Sequence, residues 1–386
     1  MKQIYLDNSA TTKICDEALE KYNFVSMNIY GNPSSLHSMG FEAEKEINSA
    51  REHIRLSLGA KDSSVIFTAS GTEANNLAIL GRAFAKERYK NGAKIITTMG
   101  EHASVDAPLD LLEKFGFKIA RIPTKNGEID MEVLEKELTR EVILVSIMLV
   151  NNETGALYDA ASVSRMMKAK SPEALLHIDA TQGYLKLPFT KAALGADMIT
   201  ISSHKIEGPK GVGALVVDNS VMKSKGLSPV ILGGGQEGGM RSGTENVPGI
   251  AAFGEAVRLG KAKLPERYAH VSALREYLVE KLGELPEISP TLPKNHVPHI
   301  VNITLPKIKS ETMLHYLSSL GIYVSSGSAC SSNGTHTSSA LTAYGRSEAE
   351  ADTSIRISLS YRNTKEDIDL FISGLSDGLK RLSRMR

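Results

Sequence analysis

Cysteine is nearly absent from this chain of 386 residues, which has two, Cys15 and Cys330. Two cysteines make no disulfide framework, and no C-x-x-C pair offers a zinc site, so reduced thiols, no metal and a cytoplasmic setting are the expectation. A charge excess is missing too. Lys and Arg total 45 against 44 Asp and Glu, a net charge of +1, so no single-sign field points to nucleic acid or a membrane surface. The longest apolar run, 142–150 (VILVSIMLV), is too short to span a bilayer. The N-terminus, MKQIYLDNSATT, lacks the apolar stretch of a secretory signal. No fixed-period repeat is evident, and without a Walker sequence or GxGxxG neither ATP nor NAD is supported.

What is present is enough apolar sequence, 41%, for a large core and a second, smaller unit. Short β-branched runs at 65–68, 94–98, 142–150, 175–179, 198–202 and 212–217 alternate with helix-like stretches such as 73–86 and 131–139. Continuous apolar strands with helical connections predict an α/β fold with a mainly parallel sheet covered on both faces. After about residue 260 the rhythm changes. A long charged helix leads through a Pro-rich connector to HIVNITL, a helix near 311–319, IYVSS, SIRISLS and a last helix. That cluster predicts a smaller α+β unit. Thr364 and Asp367 in NTKED have the spacing of a capping box.

Ligands of such sheets sit beyond the carboxyl ends of the strands, and four of these ends carry chemistry. In FTASGTEANN, Gly71 lets the backbone approach closely, and Thr72 offers a hydroxyl and an N–H at the positive end of a helix. This suits a phosphate, although taken alone an ordinary Thr N-cap is the commoner reading. In TTMGEHASV, His102 follows a strand end, where a lone histidine is more often structural. In LVNNETG one of Asn151 and Asn152 faces a ligand or both form the turn. The fourth is a pair: LLHIDATQ ends on Asp179 with Gln182 beyond it, and MITISSHKIEGPKG ends on Ser202, followed by His204 and Lys205. A lysine at a strand exit, an acid on a strand end, a phosphate seat and a flat side chain are the parts that pyridoxal phosphate requires. Lys205, Asp179, Thr72 with Ser202 and His204, and His102 fill these posts.

The stretches SGTEANN, EHASV, NNETG, HIDATQ, SSHKIEGPKG, GMRSGTENV and SSGSACSS stand in this order. Together they resemble the cysteine desulfurases of the class-V aminotransferase family, in the group with a mobile catalytic loop. The resemblance runs from YLDNSATT to IRISLSYRNT. It implies a fold type I enzyme with a seven-stranded sheet in a large domain, residues 15–262. A small domain, residues 1–14 with 263–386, would carry the catalytic cysteine. It implies a homodimer that takes L-cysteine to alanine and leaves a persulfide on Cys330. Lys205 would hold pyridoxal phosphate covalently, Asp179 would pair with its ring nitrogen, Gln182 would bond its ring oxygen, and His102 would stack on the ring. Asn152 would contact the ring oxygen or the substrate. Gly71, Thr72, Ser202 and His204 would seat the phosphate, and Thr244, beside Arg241, would reach the partner subunit's cofactor. Arg356 would grip the substrate carboxylate, where a bidentate guanidinium fits.

Cys330 sits in SSGSACSSNG, 325–334, a run too small and polar to bury a thiol. The expectation is a mobile segment at 331–340 that brings Cys330 to the cofactor and then carries sulfur outward. His102 or a charge in the closed loop would ionise the thiol. Cys15 is read as a packing residue. A selenocysteine lyase or other class-V lyase or aminotransferase is the alternative, and a non-catalytic sulfur-transfer platform the remote one. Ser203 stands where many relatives have glycine, and Glu207 where an aromatic is common. The sulfur acceptor is open among iron–sulfur scaffolds, tRNA-thiolation enzymes and a dedicated partner, because the long C-terminal tail of many scaffold-serving relatives is missing here.

Overall fold

The computed structural model describes residues 2–90, 92–306, 308–326 and 338–382. Its centre is a seven-stranded sheet in the order Ser63–Thr68, Gly213–Asp218, Met198–Ser202, Leu175–Asp179, Val142–Met148, Lys94–Thr98, Lys118–Ile122. Gly213–Asp218 runs antiparallel to both its neighbours, and the other pairings are parallel. The strands form where β-branched residues face apolar layers on both sides. Val65 and Phe67 point into one layer and Ile66 into the other; Ala214 and Val216 alternate with Leu215 and Val217 in the same way. The helices Asp16–Asn28, Ser38–Leu58 and Val247–Ala262 cover one face, and Gly71–Ala83 with Ala103–Lys114 cover the other. Gly254 permits the close crossing of two of them: a Cβ there would meet the Ala50 Cα at 2.6 Å.

A buried cation ties the second face together. Arg82, 4% exposed, donates to the Ile143, Gly226 and Glu173 carbonyls at 3.0, 3.2 and 3.1 Å. Truncation would strand these acceptors in the interior. The Arg82→Ala variant should lose about 3–5 kcal/mol of unfolding free energy in a urea titration; a loss under about 1 kcal/mol would mean that water replaces the guanidinium without penalty.

A second core gathers Ile4 and Leu6 with residues from Val271 to Leu379. It lies between a four-stranded antiparallel sheet, ordered Ser289–Thr291, Ile300–Thr304, Ser354–Ser358, Ser325–Ser326, and the helices Leu264–Gly283, Ser310–Ser319 and Lys365–Leu382. Ile4–Tyr5 pairs in parallel with Ile322–Tyr323, which fastens the start of the chain to this unit. The capping box forms: Thr364 N donates to Asp367 Oδ2 at 3.1 Å, and Asp367 N to Thr364 Oγ1 at 3.3 Å. The expected strand at 142–150 ends at Met148, because Leu149 and Val150, although buried, already turn toward Asn151. The first helix after the 63–68 strand is capped by Ser70, whose hydroxyl accepts from Glu73 N at 3.1 Å; Thr72 lies inside its first turn rather than at the cap.

Candidate active site

The register aligns the strand ends. Gly213 pairs with both Thr68 and Ser202, and Asp179 pairs with both Met148 and Thr200. The segments that follow Thr68, Thr98, Met148, Asp179 and Ser202 therefore open on one side of the sheet. There they enclose a cavity of about 540 Å³. Gly71, Thr72, His102, Asn152, Asp179, Gln182, Ser202, His204, Lys205 and Arg356 all line it. Thr244 does not; it borders a separate hollow with Arg241 and Glu245. Cys330 and positions 331–337 of the expected mobile segment lie outside the described residues. Ser338 caps the helix Ser339–Tyr344 instead of continuing a loop.

Each side chain is held by its local structure. Lys205 ends a turn of 3-10 helix after Met198–Ser202 and donates from Nζ to the Ser9 and Ala10 carbonyls at 2.6 and 2.9 Å. Asp179, buried at its strand end, accepts from Asn75 Nδ2 at 2.8 Å and from Thr181 N at 2.9 Å. Asn75 also donates to Ser104 Oγ at 2.8 Å, and Ser104 in turn meets His102 Nδ1 at 2.8 Å. His102 caps the helix Ala103–Lys114 with that same nitrogen, so its ring orientation is fixed from behind. The two asparagines divide the two readings. Asn151 is buried and builds the turn, accepting from Glu153 N and Thr154 N at 3.0 and 2.9 Å, while Asn152 is the one on the cavity wall.

Arg356 is 4% exposed on the strand Ser354–Ser358. It donates to the Asn152 carbonyl at 2.8 Å and to Asp7 Oδ1 at 3.0 Å, and its Nε is buried without a partner among the described residues. Burial raises the Asp7 carboxyl above its usual range, against the pull of that guanidinium. Burial also sets His204, whose imidazole is pushed down to about 4 with help from Lys205, so it is neutral at physiological pH. Glu101, beside His102, is pushed up to about 8 by loss of hydration, and Glu153 to about 7 for the same reason.

The residues fit a phosphorylated ring. Ser202 Oγ is buried and has no partner among the described residues. The start of the helix Gly71–Ala83 adds backbone N–H groups and its dipole. The floor beneath is close-packed: a Cβ on Gly213 would meet the Ser70 carbonyl carbon at 2.5 Å. Among the described residues no group of three or more His, Cys, Asp or Glu could hold a metal ion.

A model of the family described as Aminotransferase class-V matches residues 4–371. The chain belongs to that family. As a class-V member it is 39% identical to the "NifS/IcsS protein homolog" of Lactobacillus delbrueckii subsp. bulgaricus, over 99% of this chain and 98% of that one. It is 37% identical to "Cysteine desulfurase IscS" of Dictyoglomus turgidum, over 99% and 95% of the two chains. A solved "NIFS-LIKE PROTEIN" superposes with a TM-score of 0.90 at 36% identity, covering 99% of this chain and 100% of the other. Within the class-V family the chain therefore groups with the NifS- and IscS-like cysteine desulfurases, and its fold is theirs.

Several residues that shape this class-V site escaped the reading of the sequence: Asn75 behind Asp179, the Ser9 and Ala10 carbonyls under Lys205, Asp7 on Arg356, and Glu153. Each lies in a stretch that marks the family, and proximity to those motifs was the available signal. Glu207 has a structural role. At φ 66° and 7% exposed, it joins Arg267 at 3.1 Å and Arg362 at 2.8 Å, and so ties the lysine loop to the smaller unit. Cys15 packs in the first core at 5% exposed, and burial pushes its thiol up. Among the described residues no helix is long and apolar enough to cross a membrane.

Proposed function

We propose that this protein is a cytoplasmic, pyridoxal-phosphate-dependent cysteine desulfurase, which converts L-cysteine to L-alanine and keeps the sulfur as a persulfide on Cys330. The observation that carries the reading is the convergence of Lys205, Asp179, His102 and Arg356 on one cavity, with the Ser202 hydroxyl uncommitted among the described residues beside a helix start. When bound, pyridoxal phosphate supplies an electron sink that lets bonds at the substrate's carbons break. Lys205 would hold the cofactor and, once released, move protons at the substrate Cα. The buried Asp179, oriented by Asn75, would keep a proton on the ring nitrogen. Gln182 would serve the ring oxygen, and His102, fixed through Ser104, would cover the ring face. Gly71, Thr72, Ser202 and neutral His204 would hold the phosphate. Arg356, with Asn152 beside it, would take the substrate carboxylate on its remaining N–H groups.

A homodimer fits the surface. Phe24, Met27, Tyr30, Leu36, Met39 and Phe41 expose from 40% to 107% of their area within one short stretch. Single apolar side chains at a surface are ordinary, but six of them within residues 24–41 support an interface there. Thr244, outside its own subunit's cavity, would complete the partner's site. The division into residues 15–262 and residues 1–14 with 263–386 is supported by Cys15 joining the first core while Ile4 and Leu6 join the second. The persulfide sulfur would pass to an acceptor protein for iron–sulfur cluster assembly or tRNA thiolation.

The test is incubation of the holoenzyme with L-cysteine, followed by alanine assay, intact mass and peptide mapping. Alanine release with an added sulfur on the Cys330 peptide supports the reading. Alanine without retained sulfur, or pyruvate in its place, overturns it.

A further inference from the structure

An amino acid reaches a site of this kind as a zwitterion, and its amine must lose a proton before it can react. Something on the cavity wall has to accept that proton. Most acids and bases there are already committed. Asp179 is held by Asn75 and Thr181, Glu101 accepts from Met148 N at 3.0 Å and from Thr98, and Lys205, which would carry the cofactor, donates to the Ser9 and Ala10 carbonyls. His102 spends Nδ1 on its helix cap, and His204 Nδ1 meets Thr11 Oγ1 at 3.1 Å.

Glu153 is placed differently. It belongs to the NNETG turn, whose backbone Asn151 fixes, and it follows Asn152, whose carbonyl holds Arg356 at 2.8 Å. Glu153 lines the same cavity as Arg356, which would hold a substrate carboxylate, and its carboxylate feels that guanidinium. Oε2 accepts from Ser338 Oγ at 2.5 Å. Ser338 Oγ already accepts from Leu341 N at 3.0 Å, so its one proton is directed at Glu153. Oε1 is left as the oxygen that can take a proton. The groups facing the carboxylate are the Ser338 hydroxyl, the Arg356 guanidinium and the His102 ring.

We propose that Glu153 accepts the ammonium proton of the amino-acid substrate, an inference that rests on the desulfurase reading above. An N–H bond of the substrate breaks, its electron pair stays on nitrogen, and the proton goes to Oε1. An ammonium and a carboxylate become an amine and a carboxylic acid, with no change of oxidation state. The proton affinity of the carboxylate matches this role, since loss of hydration lifts the group to about 7, and Ser338, Arg356 and His102 keep it from rising further.

The probe is L-alanine, which carries the ammonium and carboxylate but no thiol, mixed with the holoenzyme while the cofactor absorbance is followed. In the wild type the rate of the absorbance change should rise with pH and bend near 7, as Glu153 ionises. Glu153→Gln should be about 100-fold slower at neutral pH, and its rate should climb without a bend into the range where the free amino acid itself loses its proton. Ser338→Ala removes a bond that favours the carboxylate, so the bend should persist at higher pH. A Glu153→Gln enzyme that keeps the wild-type bend overturns the proposal. So does a Ser338→Ala enzyme that loses both rate and bend, because Glu153 would then act only as an anchor for Ser338. A wild type whose absorbance responds to neither L-alanine nor L-cysteine overturns the desulfurase reading itself.

Discussion

The Lys205→Ala variant should purify without a borohydride-reducible link to pyridoxal phosphate and should turn over L-cysteine at least about 10³-fold more slowly than the parent. The size of the effect follows from two roles falling on one amine, holding the cofactor and moving protons. Lys205 Nζ is held over the cavity by the Ser9 and Ala10 carbonyls, and among the described residues no second lysine lines the same cavity. Lys186 is the substitute to test. It lines the adjoining hollow and reaches toward Gln182 at 3.5 Å, and burial pushes its amine down to about 7. Reduction of the wild type followed by peptide mapping should label Lys205 alone. Label on Lys186 or elsewhere, or undiminished turnover in the variant, would remove the basis of every role assigned to the cavity.

Much of this arrangement was legible in the sequence because strand ends announce themselves. The strands Lys94–Thr98, Leu175–Asp179 and Met198–Ser202 fall where their β-branched runs predict them, and the polar residues that follow them open into the cavity. Lys118–Ile122 lies outside the strands that the sequence predicts. It is the edge of the sheet, and its charged and half-exposed residues, such as Lys118 and Arg121, break the apolar pattern. Supporting contacts were invisible for a different reason. Asp7 meets Arg356 across 349 positions, and Asn75 meets Asp179 across 104. No local spacing encodes such pairs; only the closure of the fold brings them together. The same holds for Ser338 and Glu153, which are 185 positions apart. What the sequence carries locally is the nature of each reacting group, and what it carries only through the fold is the shell that orients them.

Cys330→Ala should separate cofactor chemistry from sulfur chemistry. None of the residues proposed to hold the cofactor lies within 327–337, the undescribed stretch containing Cys330. The variant should therefore keep the bound cofactor's spectrum and still respond to L-cysteine by a change in absorbance. Alanine formation should nevertheless fall by roughly 10⁴-fold or more, a loss typical of removing a nucleophile. In the proposed step the Cys330 thiolate forms a sulfur–sulfur bond as the carbon–sulfur bond breaks. The released electron pair stays with the substrate, whose carbon then takes a proton to become alanine. Without that thiolate nothing in the chain is assigned to accept the sulfur, since Cys15 is packed in the core with its proton affinity raised. A thiol near pKa ~8.5 is only a few per cent ionised at neutral pH, so the parent's rate should climb as the thiol ionises, and that limb should vanish in the variant. Parent-like alanine release from Cys330→Ala would show that the carbon–sulfur bond breaks without nucleophilic attack on sulfur. Retained turnover of selenocysteine alone would show that the thiol is required for sulfur but not for selenium.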